Sequence, residues 1–306
     1  MTADLRFALP VSRAFTLRLA RTLTCGCMRA SRSCASDGAV RLCFPLDGSF
    51  DVVGVTLRES QDAVLVEATG TRDRETLTRQ LARVLGLDHD GDAFARVLAS
   101  QPELQRLVAD DPGARTIVFF SPWVAAGWHV LAGAVGMRRA ALVQERLAQR
   151  FGDVAPDGLP SFPRPQSVLA HASAPNVSSA TWQRLRGIAE HALAGRLDPA
   201  RLAATPDALA ELRALSGFDR NLAEATWIRG CGPADALTTT MPALRRGVQA
   251  VYGLPRTPTM KELAAIAEAW RPFRAWVTVL VMREAFRRGV AAAPRRRFDQ
   301  PKVSRT

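Results

Sequence analysis

The stretch GFDRNLAEATWIRGCG, residues 217–232, decides how this chain is read. It follows the helical pattern LAELRAL (209–215) and precedes PADALTTTMPALRR (233–246). Two short helices joined by a glycine-bearing turn make a hairpin of the kind that holds a phosphate, because glycine lets backbone N–H groups come close. Gly217 supplies the first such position. Asp219 stands where a second glycine is wanted, adding a negative charge and a Cβ. Aspartate tolerates the left-handed region, so the turn is expected to survive while its hold on phosphate weakens. Arg220 is placed to lean over the site and offset that charge.

Outward from the hairpin, the pattern is helical from about residue 90 onward, punctuated by Pro102, Pro112–Gly113, the segment 152–165, Pro175, Pro199, Pro206 and Pro255–Pro258. WVAAGWHVLAGAVGMRRAALVQERLAQRFG (123–152) reads as two helices meeting near Gly133 and Gly136, and SSATWQRLRGIAEHALAG (178–195) as one helix capped by Ser178 or Ser179. Residues 1–88 differ. LRFAL, VRLCFPL, FDVVGVTLRES and AVLVEAT alternate apolar and polar residues around Asp-Gly turns, which predicts a small antiparallel sheet. SRAFTLRLARTL has Phe15, Leu17, Leu19 and Leu23 at roughly helical spacing after a possible Ser12 cap, and DRETLTRQLARVLGL returns to helical period. The expectation is an α+β chain: a sheet-plus-helix domain (1–88), a helical body (89–288) with the hairpin at 209–232, and a basic tail (289–306) too polar to fold.

A formal charge of +12 over 306 residues points to a polyanionic partner, since neutralising phosphates releases counterions. Lys261 and Lys302 are the only lysines, so a compositional bias towards arginine would give the same excess. No window is long and apolar enough for a membrane span, and the N-terminus lacks the apolar core of a targeting peptide, so a cytoplasmic, nucleoid-associated location is expected. Cys25, Cys27, Cys34 and Cys43 fit neither a zinc site nor a disulfide framework. They read as reduced thiols, with no metal and no cofactor.

Several landmarks resemble the bacterial DNA-3-methyladenine glycosylase II family of helix-hairpin-helix glycosylases. LSGFDRNLAE (215–224) is similar to the family's L-P-G-I-G-P-W-T-A-E, and RGCGPADAL (229–237) to R-G-L-G-x-x-D-x-F. LRR (244–246), YGL (252–254) and WRPFR (270–274, against W-R-P-Y-R) follow in register, and LARVLGLDHDGDAFARVL (81–98) and LAQRFG (147–152) extend the likeness over nearly the whole chain. The resemblance implies a monomer that binds damaged double-stranded DNA and excises alkylated purines in base-excision repair. Such enzymes flip the lesion out of the duplex and stack it on aromatic side chains, while a carboxylate stabilises the developing oxocarbenium charge. Residues 217–246 would stand at the mouth of a cleft between helical domains.

The resemblance implies a grip, a pocket and a carboxylate, and each of the three is altered here. The family aspartate of F-P-x-x-D-x-x-L falls on Met241 in LTTTMPAL (237–244), and a thioether carries no negative charge. Pro242 beside it suits a helix start. The DNA-gripping positions are Gly217, Phe218, Asp219, Arg220, Arg245 and Arg246; the base-pocket positions are Asn221, Ala225 and Met282, none of them aromatic. The lesion-approaching loop I-L-G-Q-Q becomes VLAGA (130–134), with Met137 a nearby apolar wedge. Asp219, Glu224 and Asp235 are the candidate substitute carboxylates, although Glu224 on the second hairpin helix and Asp235 in a loop also read as solvated surface groups. His129, His171 and His191 read as packing or surface residues, and Asp88-His89-Asp90 as a turn that starts a helix. Arg271 and Arg274 either face DNA or fix their helix to the body, and Arg295–Arg297 would add weak phosphate contacts. Three roles remain open: excision of alkylated bases, lesion sensing without catalysis, and a protein-interaction relic of the family.

Overall fold

The computed structural model describes residues 3–11, 15–17, 32–34, 38–113 and 115–290, with only the backbone of 32–34. Ser12, Leu19, Leu23, Cys25, Cys27 and the tail from 291 with Arg295–Arg297 lie outside the described residues, as does the side chain of Cys34. Alternation does produce strands: β1 (Leu5–Pro10), β2 (Arg32–Cys34), β3 (Val40–Pro45), β4 (Val52–Glu59) and β5 (Ala63–Thr69). They form one antiparallel sheet in the order β1-β5-β4-β3-β2. In β5 the period of two buries Val64, Val66 and Ala68 and turns Leu65 and Glu67 outward. The Asp47-Gly48 turn joins β3 to β4, with Gly48 at φ +82°, a left-handed geometry that favours glycine.

Thirteen α-helices follow among the described residues, with a π-helical turn (Trp227–Cys231) continuing the tenth: α1 (Arg74–Leu85), α2 (Gly91–Ala99), α3 (Pro102–Leu107), α4 (Pro122–Val135), α5 (Met137–Phe151), α6 (Pro165–Leu169), α7 (Ser179–Leu193), α8 (Pro199–Ala204), α9 (Ala208–Ala214), α10 (Arg220–Thr226), α11 (Pro242–Tyr252), α12 (Met260–Glu268) and α13 (Arg274–Arg287). Prolines open α3, α4, α6, α8 and α11, where the missing N–H costs nothing. Gly136 at φ +80° separates α4 from α5, and Ser178 caps α7 by accepting from the Thr181 N–H at 3.2 Å. Thr259 and Glu262 close a capping box on α12.

The buried side chains fall into two clusters. One joins the inner sheet face (Phe44, Val55, Val66) to Leu81 of α1, Trp123 of α4, Trp182 of α7 and Leu222 of the hairpin. The other joins Phe94 of α2 and Leu104 of α3 to Leu244, Trp270 and Trp276. The hairpin α9–α10 thus belongs to the first cluster and α11 to the second, so the loop 232–241 carries the chain from one to the other. Among the described residues no helix is long and apolar enough to cross a membrane, and no group of three metal-ligating side chains is assembled.

Candidate functional site

Gly217 adopts φ +82° at the turn between α9 and α10, a conformation that a side-chain-bearing residue adopts only under strain. Asp219 does not share it. Its backbone is extended at φ −90°, and its carboxylate caps α10 by accepting from the Leu222 N–H at 2.8 Å. The expectation of a left-handed aspartate is therefore corrected: the residue at 219 starts a helix, and an N-cap needs an ordinary extended conformation. The other carboxylate oxygen meets Arg184 of α7 at 2.8 Å, and the same guanidinium donates to the Gly217 carbonyl at 2.8 Å. Partial burial alone would raise the Asp219 carboxyl, but the Leu222 N–H and Arg184 outweigh it and hold the group below the usual carboxylate range. The turn thus holds an anion of its own, an ionised carboxylate on a helix N-terminus with an arginine across it.

Arg220 does not lean over the turn. It reaches the Thr239 hydroxyl at 3.1 Å, because Arg184 already occupies the place beside Asp219. Phe218 is 8% exposed and packs into the first cluster, so its ring anchors the turn from beneath. Arg245 donates to the Pro258 carbonyl and Arg246 to the Val290 carbonyl, both inside the second helical group. Of the pocket positions, Asn221 is exposed, Ala225 is half-buried, and Met282 packs into the second cluster.

The three carboxylates near the hairpin are all engaged. Glu224 is corrected from a surface group to a buried one, 3% exposed, because its helix turns that face towards the loop before α11. It accepts from the Thr239 N–H, from the Thr239 hydroxyl at 2.9 Å and from the Thr240 N–H at 3.4 Å. Asp235 receives Arg271 at 2.6 Å and Arg274 at 2.7 Å. Burial would raise its carboxyl, yet the hydrogen bond and charge of Arg274, with Arg271, keep it low. Arg271 and Arg274 accordingly fix the 235 loop to the start of α13.

Met241 occupies the N-cap of α11 in an extended conformation, 37% exposed, with no side-chain hydrogen bond to the helix. Its carbonyl still accepts from Leu244 N–H at 3.0 Å, so the helix starts on backbone geometry and Pro242 alone. An N-cap commonly carries a side-chain acceptor, and here it carries a thioether. His129 is half-buried, and desolvation of its ring pushes the imidazole down to about 4; the ring packs edge-on against Phe119. Asp90 of the 88–90 triplet caps α2, as its place before a helix suggests. Cys43 and Cys231 are free and buried, and burial pushes both thiols up to about 12. Arg184 and Thr239 were not foreseen from the sequence. Both lie at least 15 residues from their partners, so no local spacing marks them.

No family model matches the sequence, and the curated proteins contain no match either. Solved structures do. The 3-methyladenine DNA-glycosylase from Archaeoglobus fulgidus superposes with a TM-score of 0.74 over 92% of this chain and 98% of that one, at 20% identity. A structure of MBOgg1 in complex with a low-affinity DNA ligand gives 0.69 over 94% and 98%, at 15% identity. The Clostridium acetobutylicum 8-oxoguanine glycosylase/lyase, bound to duplex DNA containing cytosine opposite 8-oxoguanine, gives 0.65 over 94% and 100%, at 12% identity. Sheet, hairpin and closing helices therefore stand in the order and arrangement of those enzymes, and the chain has the fold of the helix-hairpin-helix DNA glycosylases.

Proposed function

We propose that the protein is a DNA-repair protein of the DNA-3-methyladenine glycosylase II type, a monomer that binds damaged duplex DNA and acts on alkylated purines in base-excision repair. The observation that carries this reading is the placement of the Gly217 hairpin beside the start of α11, within a fold shared over 92% of the chain with a 3-methyladenine DNA-glycosylase. An N-alkylated purine is cationic and already a good leaving group, so excision asks the protein mainly for grip, a pocket and one negative charge near the sugar. Here the grip is filled by Asp219 and the charge is missing at Met241. Because Asp219, Glu224 and Asp235 are all held in internal contacts, the geometry also favours a second reading, lesion recognition without excision.

The test is binding and base release together, on alkylated and undamaged duplexes. The expected result is preferential binding of the alkylated duplex with slow release of methylated purine. Absence of any lesion preference would remove the repair reading and leave a protein-interaction role.

A further expected outcome concerns the turn. Asp219→Gly removes the resident anion, freeing the start of α10 and Arg184 for a phosphate. DNA affinity should rise on the order of tenfold, with a salt slope steeper by about one contact. The cap change itself costs only a few tenths of a kcal/mol, so folding is preserved. Anisotropy titrations at two salt concentrations measure this, and unchanged affinity would mean that the carboxylate is not what closes the turn.

A further inference from the structure

We infer that the outward face of α5 is a second phosphate-binding surface, which holds the backbone of duplex DNA through Arg139, Arg146 and Arg150. The inference rests on the DNA-binding reading above and deepens it by moving much of the grip from the closed hairpin to a helix. The three arginines are spaced by seven and four residues. At about 100° and 1.5 Å per residue they fall within an arc of roughly 40° and span about 16 Å. All three are exposed. Arg139 and Arg146 make no hydrogen bond or ion pair with any other described residue, and Arg150 only lies over its neighbour Phe151 at 5.6 Å.

Several other arginines of the body are paired with carboxylates, as Arg184 is with Asp219 and Arg274 with Asp235. The only carboxylate on α5, Glu145, points about a third of a turn away and is half-buried. Beside Arg146 and Arg150 runs an open groove of about 540 Å³, whose walls include the amides Gln149 and Asn176. Phosphates rise about 3.4 Å apart along one strand, so a row of about 16 Å faces some five of them. Amide donors flanking a guanidinium row suit phosphate oxygens, and such contacts position a duplex without reading its sequence.

The experiment compares the full chain with the triple variants Arg139→Gln/Arg146→Gln/Arg150→Gln and Arg139→Lys/Arg146→Lys/Arg150→Lys. Each is titrated with undamaged and alkylated duplexes between about 50 and 200 mM salt. All the changes are on exposed side chains, and thermal unfolding checks that the fold is kept. In the glutamine variant, affinity for both duplexes should fall ten- to a hundred-fold, and the slope of log K against log salt should lose about 2.7, at 0.9 per contact. The lysine variant should keep most of the binding and the slope. Unchanged affinity and slope in the glutamine variant would overturn the inference, as would a parent chain that binds an acidic polypeptide but no duplex. If the glutamine variant behaves like the parent while the parent prefers the alkylated duplex, the inference fails and the functional reading stands. If the slope falls as expected but neither protein prefers the lesion, the surface stands and the repair reading fails.

Discussion

Met241→Asp is expected to raise the release of methylated purine from alkylated duplex DNA by a factor of hundreds to thousands. Met241 already has the extended backbone of an N-cap, is 37% exposed, and leaves the first N–H groups of α11 without a side-chain acceptor. An aspartate there would take up the cap, and helix N–H groups favour its ionised form, so it would carry a charge at neutral pH. A fixed negative charge facing the sugar is the electrostatic element that the present residue cannot supply, and removing such an element commonly costs two to three orders of magnitude in rate. The same substitution should stabilise the fold by about 1 kcal/mol, because it completes a cap.

Met241→Asn separates the two effects. Asparagine caps the helix as well as aspartate but is neutral, so it should raise the melting temperature and leave base release at the slow rate of the parent. Single-turnover release assays on the three proteins, read beside thermal unfolding, check this. Equal rates for the asparagine and aspartate variants would show that charge is not what the site lacks. Rapid release by the parent would place the catalytic carboxylate elsewhere.

The parts of this protein that were legible in the sequence are those governed by local period and local caps. The strands over 5–10, 40–45, 52–59 and 63–69 follow from alternation, while the helix break falls at Gly136, one of two glycines that the sequence offers, and the cap at Ser178, one of two adjacent serines. The site was legible only in outline. Met241 stands out only through the resemblance, which puts the family aspartate at that place in LTTTMPAL, and the occupation of the turn is hidden, because Asp219 and Arg184 lie 35 residues apart and nothing periodic joins them. Glu224 misled for a related reason. A glutamate on a short helix reads as solvated, and only the loop at 239–240 folding back onto it explains its burial. Tertiary ion pairs and buried carboxylates have no sequence signature at this level, since their partners are set by packing.

Arg83→Ala should destabilise the protein by about 3–5 kcal/mol at neutral pH, the usual cost of removing one partner of a buried pair. Arg83 of α1 meets Asp47 at 2.6 Å, and it also donates to the carbonyls of Phe120 at 2.9 Å and of Gly230. Its side chain is 9% exposed and that of Asp47 is 12% exposed. One guanidinium therefore ties the β3–β4 turn, the start of α4 and the exit from the hairpin. Burial pushes the Asp47 carboxyl up, and Arg83 opposes that rise without reversing it; one carboxylate oxygen, Oδ1, has no hydrogen-bond partner among the described residues.

Without Arg83 nothing comparable opposes burial, and the folded carboxyl rises further. A group with a raised folded value binds a proton more tightly when folded, so its penalty is largest above that value and fades as pH falls towards the unfolded value near 3.8. The deficit of the variant should therefore be greatest at neutral and alkaline pH and shrink on acidification. Asp47→Asn in the Arg83→Ala background should restore part of the lost stability at neutral pH and remove this pH dependence. Denaturant unfolding at several pH values measures both, and a deficit independent of pH would mean that the lost carbonyl contacts, rather than the orphaned carboxylate, dominate. Because Gly230 sits at the hairpin exit, a loosened Arg83 should also weaken DNA binding in proportion, at pH values where the variant remains folded.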